Sequence, residues 1–401
     1  MLLHIPRSHI STTDLPFFST RSPSPLCHAM LLGPISNPSR CYHLSHLRAP
    51  LSQCFTRCMW SPPPEPEKPP VPYRQGYRFT ARRVQPPPPF LGQYVRVPDR
   101  DFRHFLKTYR FPGKDFLRTT TLVNYCMTVA SKPLPCEPLH ETSDFEVLEE
   151  ITVGDGPGRG RGSQVIVCKR QGTAEPPLVA KVFDPLYYPS FNPVDSPAVP
   201  INVVSRAEHD FALESAAYVQ LDHRLGGRFI PRFYGSWILD LPLKNITRPV
   251  GFVLMEHLEG IPLSELDPAN YSRDERLRML ALSMEAEVEI FHSGVWHYGI
   301  SPRNVICSTA DFQSPDLSVK IIDFGNCQIL PLRGAEAPCE SEPLPKSPLE
   351  SFWSGGQVDM WNWQPPEMGA SEWNQWLQER WAGSSKYQPP PDNLMPATND
   401  G

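Results

Sequence analysis

No stretch of this chain approaches the roughly 18 consecutive apolar residues needed to span a bilayer, so no membrane-crossing helix is expected. Zinc-type cysteine pairing is missing as well. The ten cysteines include no CxxC pair. Cys54 and Cys58, with three residues between them, have no matching His or Cys pair at zinc-site spacing. The expected state is free thiols in a reducing compartment. Charge is sparse: 20% of residues are charged and the net charge is −5. Neither figure points to nucleic acid or a membrane surface as the main partner, and a cytoplasmic or nuclear location is expected. Residues 1–58 contain five arginines, no lysine and one acid, Asp14. This acid-poor, Ser-rich composition is that of an organelle transit peptide, so organelle targeting stays open. Pro6, Pro16, Pro23 and Pro25 would nevertheless break the amphipathic helix such a peptide uses. The alternative is a disordered tail or translated upstream sequence without a role. MLLHIP is too short for a secretory h-region.

What is abundant is proline, at 49 residues, well above the usual ~5%. SPPPEPEKPPVP (61–72) and PPPP (86–89) read as extended polyproline linker, with a ligand for a Pro-binding module as the other possibility. The expected layout is a disordered Pro/Ser-rich tail and linker at 1–91, then an N-terminal extension of unassigned role at 92–143. The extension has an aromatic and basic cluster (Arg103, His104, Phe105, Lys107, Tyr109, Arg110) and a helix or two. An ordered domain follows at 144–388, and a disordered tail at 389–401.

Within that domain EVLEEITV, QVIVCKR and PLVAKVFD read as three strands, the first two joined by a glycine-rich turn. Residues 205–225 carry apolar side chains at helical spacing, and GFVLMEHL is another strand. The clearest helix is YSRDERLRMLALSMEAEVEIFHSG. Ser272 with Glu275 makes a capping box, and Gly294 closes the helix. Short strands NVIC and VKIID come next. Strands first and helices later give an α+β class.

Phosphoryl transfer requires a loop over the phosphates, a fixed cation, a partner for that cation, metal ligands and a group that orients the nucleophile. GDGPGRGRGSQV (154–165) could supply the loop, since glycine lets backbone N–H groups approach phosphate. A flexible surface hairpin would look the same. Lys181 ends the apolar run LVAK. It is either a strand-edge gatekeeper or a phosphate ligand. Glu214, inside the predicted helix, is its candidate partner; a plain solvated helix Glu is the alternative, and Glu208 competes if the register shifts. Glu256 and Leu258 fall where a hinge would offer backbone groups to adenine, or at an ordinary strand end. Asn304 and Asp323 carry hard oxygens suited to Mg²⁺.

HYGISPRN (297–304) and IIDFG (321–325) are the most specific signals. With them, residues of about 145–370 resemble the protein kinase-like superfamily. More narrowly, they are similar to divergent fungal kinase-like proteins with an H-x-D-I-S-P-R-N loop. The resemblance implies a two-lobed fold, with a β-rich N-lobe, a shortened helical C-lobe and ATP between them. Gly158, Gly160 and Val165 would cover the phosphates, Lys181 would pair with Glu214, and Asn304 and Asp323 would hold Mg²⁺. Arg303 would support the transferred phosphate, as in tyrosine kinases.

The departures are as informative. Gly299 stands where the family has its catalytic Asp, Tyr298 where it often has Arg, and Ser163 at the third loop glycine. WQPPEM (363–368) resembles the family's A-P-E segment, and only 34 residues follow Glu367. Six of the nine tryptophans crowd this stretch. They are expected to build a compact core, with a carbohydrate or peptide platform as the alternative. Three readings follow: an ATP-binding pseudokinase, a weak phosphotransferase on a protein or small-molecule hydroxyl, or a non-catalytic interaction module.

Overall fold

A computed structural model of the protein describes residues 62–94, 99–154, 162–192, 196–298, 300–353 and 360–395. In chain order the elements are β1 (Arg78–Gln85), α1 (Arg100–Tyr109), α2 (Lys114–Thr119), α3 (Leu122–Ala130), β2 (Glu137–Thr152), β3 (Gln164–Arg170), β4 (Leu178–Phe183), β5 (Phe191–Asn192), β6 (Ser196–Pro200) and α4 (Val203–Leu225). Then come β7 (Phe233–Leu243), β8 (Ile246–Glu256), β9 (Ile261–Pro262), α5 (Arg273–His292), β10 (Val295–Trp296), β11 (Val305–Cys307), β12 (Val319–Ile321), β13 (Gln328–Ile329), α6 (Pro338–Ser341), α7 (Pro348–Ser351) and α8 (Ala370–Trp381). The class is mixed α+β.

Six antiparallel strands close into a barrel in the order β1-β2-β3-β4-β8-β7. Its filling is apolar and largely aromatic: Phe145, Ile166, Ala180, Val182, Trp237 and Phe252 are all buried in one cluster. Strand periodicity decides what faces where. In β4, Leu178, Ala180 and Val182 enter that cluster, while Val179 and Phe183 belong to a second core shared with Ala207, Phe211 and Leu213 of α4. Lys181 lies on the α4 side for the same reason. A one-residue slip would turn its charge into the barrel. Gly251 of β8 lets α4 lie close, since a Cβ there would sit 2.5 Å from the Phe211 ring.

The proline-rich segment is not a linker from residue 62 onward, and this corrects the 1–91 boundary. Val71 and Tyr73 are buried. The Tyr73 hydroxyl donates to Asp184 Oδ2 at 2.6 Å, and the Tyr187 hydroxyl donates to the carbonyls of Pro69 and Pro70. Proline has no N–H to satisfy, so an extended run can lie against the fold while its carbonyls accept from side chains. Glu65 accepts from the first amides of α3, Leu122 N and Val123 N, acting as a cap from outside the helix. β1 then closes the barrel. The 92–143 extension likewise packs into the cores through Phe102, Leu106, Val123 and Tyr125. The domain therefore starts well before residue 144.

Asp184 is the hub of this attachment. It is fully buried and accepts from both terminal guanidinium nitrogens of Arg248, at 2.5 and 2.7 Å. Removing one partner of a buried pair strands the other charge, at a cost of about 3–5 kcal/mol. Asp184→Ala will lose that much in a chemical denaturation series. Asp240→Ala, which breaks the exposed Arg82–Asp240 pair, will lose no more than about 1 kcal/mol.

The predicted capping box of α5 is present, with Ser272 and Glu275 exchanging bonds. The Trp-rich stretch packs against this helix. Trp363, Trp373 and Trp381 are buried, Trp363 lies by Tyr271 and Phe312, and Arg276 donates to the carbonyls of Asn362, Trp363 and Gln364. Leu394 is buried and its carbonyl accepts from Gln378, so ordered packing extends past the expected boundary at 389. Residues 1–61 and 396–401 lie outside the described residues.

Candidate functional site

The site begins with one buried ammonium. Lys181 sits mid-strand in β4, paired across the ladder with Val165 of β3 and Val253 of β8. Its side chain is 12% exposed. A charge so placed needs compensation, and it receives two carboxylates from distant elements. Nζ donates to Glu214 Oε2 of α4 at 2.9 Å and to Asp323 Oδ1, just past β12, at 2.7 Å. Burial alone would push the ammonium pKa down. Asp323 and Glu214 outweigh it and hold the pKa above the ordinary value.

Glu214 is buried and has both oxygens engaged, since its Oε1 also accepts from Phe324 N at 3.3 Å. The competitor is committed elsewhere: Glu208 takes the buried Arg110 guanidinium. Glu208 and Glu214 are six positions apart, so they lie on different faces of α4.

The backbone around Asp323 is held from several sides. Ile321 N donates to Phe229 O, Ile322 N donates to Asn304 O at 2.9 Å, and His297 Nε2 lies 3.0 Å from Ile322 O. Asp323 itself has φ +65°, uncommon for a residue with a side chain. The buried Phe324 ring stands edge-on to Tyr218 and His297. Asn304 is buried in the short turn Pro302–Asn304, whereas Arg303 beside it is exposed.

Glu256 is likewise bonded through both oxygens. Oε1 accepts from Lys320 at 2.7 Å and Oε2 from Arg232 N at 3.0 Å. Burial would raise its carboxyl, but Lys320 and Arg232 hold it below the ordinary value. Leu258 is half-buried just beyond β8. Gly158, Gly160 and Gly299 lie outside the described residues. At the base of the glycine run, the Gln164 side chain accepts from Gly154 N and donates to the carbonyls of Gly154 and Gly162. That staple has no sequence signal, because a glutamine opening a strand looks ordinary.

Among the described residues, no group of three or more His, Cys, Asp or Glu side chains could hold a metal. No helix among them is long and apolar enough to cross a membrane, and the six cysteines among them are free. No protein-family model matches the chain, and no curated protein matches it.

Proposed function

We propose that residues 62–395 form a kinase-like domain that binds Mg·ATP, with phosphotransferase activity impaired because Gly299 takes the place of the catalytic Asp. The barrel and the mainly helical remainder would be its two lobes. The observation that carries this reading is the Lys181 ammonium, held between Glu214 and Asp323 by three separate elements. A gatekeeper lysine would point to solvent. This one is kept charged next to two carboxylates, one of which, Asp323, is still 35% exposed.

In this reading Lys181 faces the phosphates, and Val165 and the glycine run cover them. Backbone groups near Glu256 and Leu258 receive adenine. Asn304 and Asp323 would hold Mg²⁺. They are hard oxygen donors, and two protein ligands are what this ion takes when phosphate oxygens and water complete its shell. Mg²⁺ supplies charge neutralisation at the phosphates. The phosphate acceptor would be a hydroxyl of a protein or small molecule, with Arg303 near the transferred group.

Thermal shift with Mg·ATP tests the proposal on residues 62–401. At a hundredfold excess over Kd the wild type gains about 2.7 kcal/mol of stability, and Lys181→Ala loses the ligand-induced gain whatever its own Tm. No shift in the wild type at millimolar Mg·ATP would sink the nucleotide reading and leave an interaction module.

A further inference from the structure

The segment just before α1 touches both halves of the site. His209, on α4 five residues before Glu214, is buried, and its Nδ1 accepts from Phe90 N and Leu91 N, each at 3.0 Å. Two donors on one ring nitrogen require it to be unprotonated. Burial, with Arg206 adding to it, lowers the imidazole pKa to about 3, so the ring stays neutral. Farther along the same segment, the Tyr94 hydroxyl accepts from Ile329 N at 2.7 Å and donates to Cys327 O at 3.5 Å. The Tyr94 and His209 rings are themselves neighbours, 6.2 Å apart.

These bonds lie beside an opening in the packing. An open cleft of about 410 Å³ lies between residues 91–94 and 325–327, reaching Leu213, His209 and Tyr298. Residues 325–327 follow directly on Asp323 and Phe324, which touch Lys181 and Glu214. Beside that opening, the Tyr94 hydroxyl ties down the backbone of this loop, while Cys327 and Ile329 pack in the same core as Tyr94.

We propose that Tyr94 and His209 are positioning residues: through them, segment 90–94 clasps α4 to residues 324–329 and keeps Glu214 and Asp323 on Lys181. The consequence for nucleotide binding rests on the function proposed above. The hold on the loop does not.

The test uses the full chain and two readouts. The first is the labelling rate of the buried Cys327 thiol by a maleimide, located by peptide mass spectrometry. The second is Mg·ATP affinity. Tyr94→Phe keeps the ring and removes the hydroxyl. His209→Leu removes the acceptor, and His209→Asn restores an oxygen near the Nδ1 position. Losing one such bond corresponds to about a 3- to 10-fold change in an opening equilibrium. Cys327 labelling is expected to rise by that factor in Tyr94→Phe and His209→Leu and to return toward wild type in His209→Asn. The Mg·ATP Kd is expected to weaken in parallel. Unchanged labelling in Tyr94→Phe overturns the clasp. Faster labelling with an unmoved Kd overturns the positioning role and leaves a merely structural contact. If the wild type binds no nucleotide, the function reading fails by itself, and labelling alone decides whether the clasp holds the loop.

Discussion

A chain that starts at residue 140 will not fold, although residues 62–401 will melt cooperatively. β1 is the reason most easily seen. It pairs with β2 over Arg78–Gln85 and with β7 over Ala81–Val84, so its loss opens the barrel along two edges and leaves their backbone groups unpaired. Lost packing costs more still. Val71, Tyr73, Val84, Phe90, Tyr94, Phe102, Leu106, Val123, Tyr125 and Leu134 are all buried. At about 1.5 kcal/mol or more for each large apolar side chain, their removal forfeits on the order of 15 kcal/mol, as much as the whole stability of an ordinary domain. Deletion also uncovers Asp184 and Arg248 by taking away Tyr73. Circular dichroism melts of the two chains make the comparison. A cooperative transition in residues 140–401, within a few degrees of the longer chain, would show that the segment is only an attachment.

Replacing Gly299 with Asp will raise phosphate transfer by about 10²–10⁴-fold, the usual contribution of a positioned acid–base group. The expectation depends on the proposed nucleotide site, in which the cation and its two carboxylates already stand together. Lys181 is fixed by two carboxylates, and the backbone beside Asp323 is tied to Asn304 and His297. Phosphoryl transfer relies chiefly on positioning and electrostatics, so in this reading the deficit lies in the residue that would orient the acceptor hydroxyl. Glycine has no oxygen there. ADP release in the presence of Mg·ATP and casein as acceptor is the measurement, with Gly299→Asp/Lys181→Ala as the control that should fall back to background. If Gly299→Asp binds Mg·ATP like wild type and releases ADP no faster, the missing carboxylate is not what limits this protein.

The parts of this molecule legible in the sequence were those whose signal is local. β3, β4, β8, α4 and α5 announce themselves through period-2 or helical spacing, and Ser272 with Glu275 marks the start of α5 because a capping box is complete within four residues. Lys181, Glu214 and Asp323 could be singled out individually from their places on those elements. Their meeting could not be derived from spacing alone, since Lys181 and Asp323 are 142 residues apart in sequence.

Tertiary structure decided the rest. Glu214 rather than Glu208 reaches Lys181 because the α4 register turns Glu208 toward Arg110 on another face. The proline-rich run carries no period, and its composition suits a linker. It is held because Tyr73 and Glu65 find partners 111 and 57 residues away. Tyr94 and His209 likewise have ordinary sequence surroundings and gain their places only from residues 324–329 and 90–91. Sequence by itself determined that β3, β4, β8, α4 and α5 form, because backbone geometry and side-chain periodicity act over a few residues. Which of those segments belong to the core, and which carboxylate meets which cation, were set by packing between residues far apart in the chain, where no local pattern reaches.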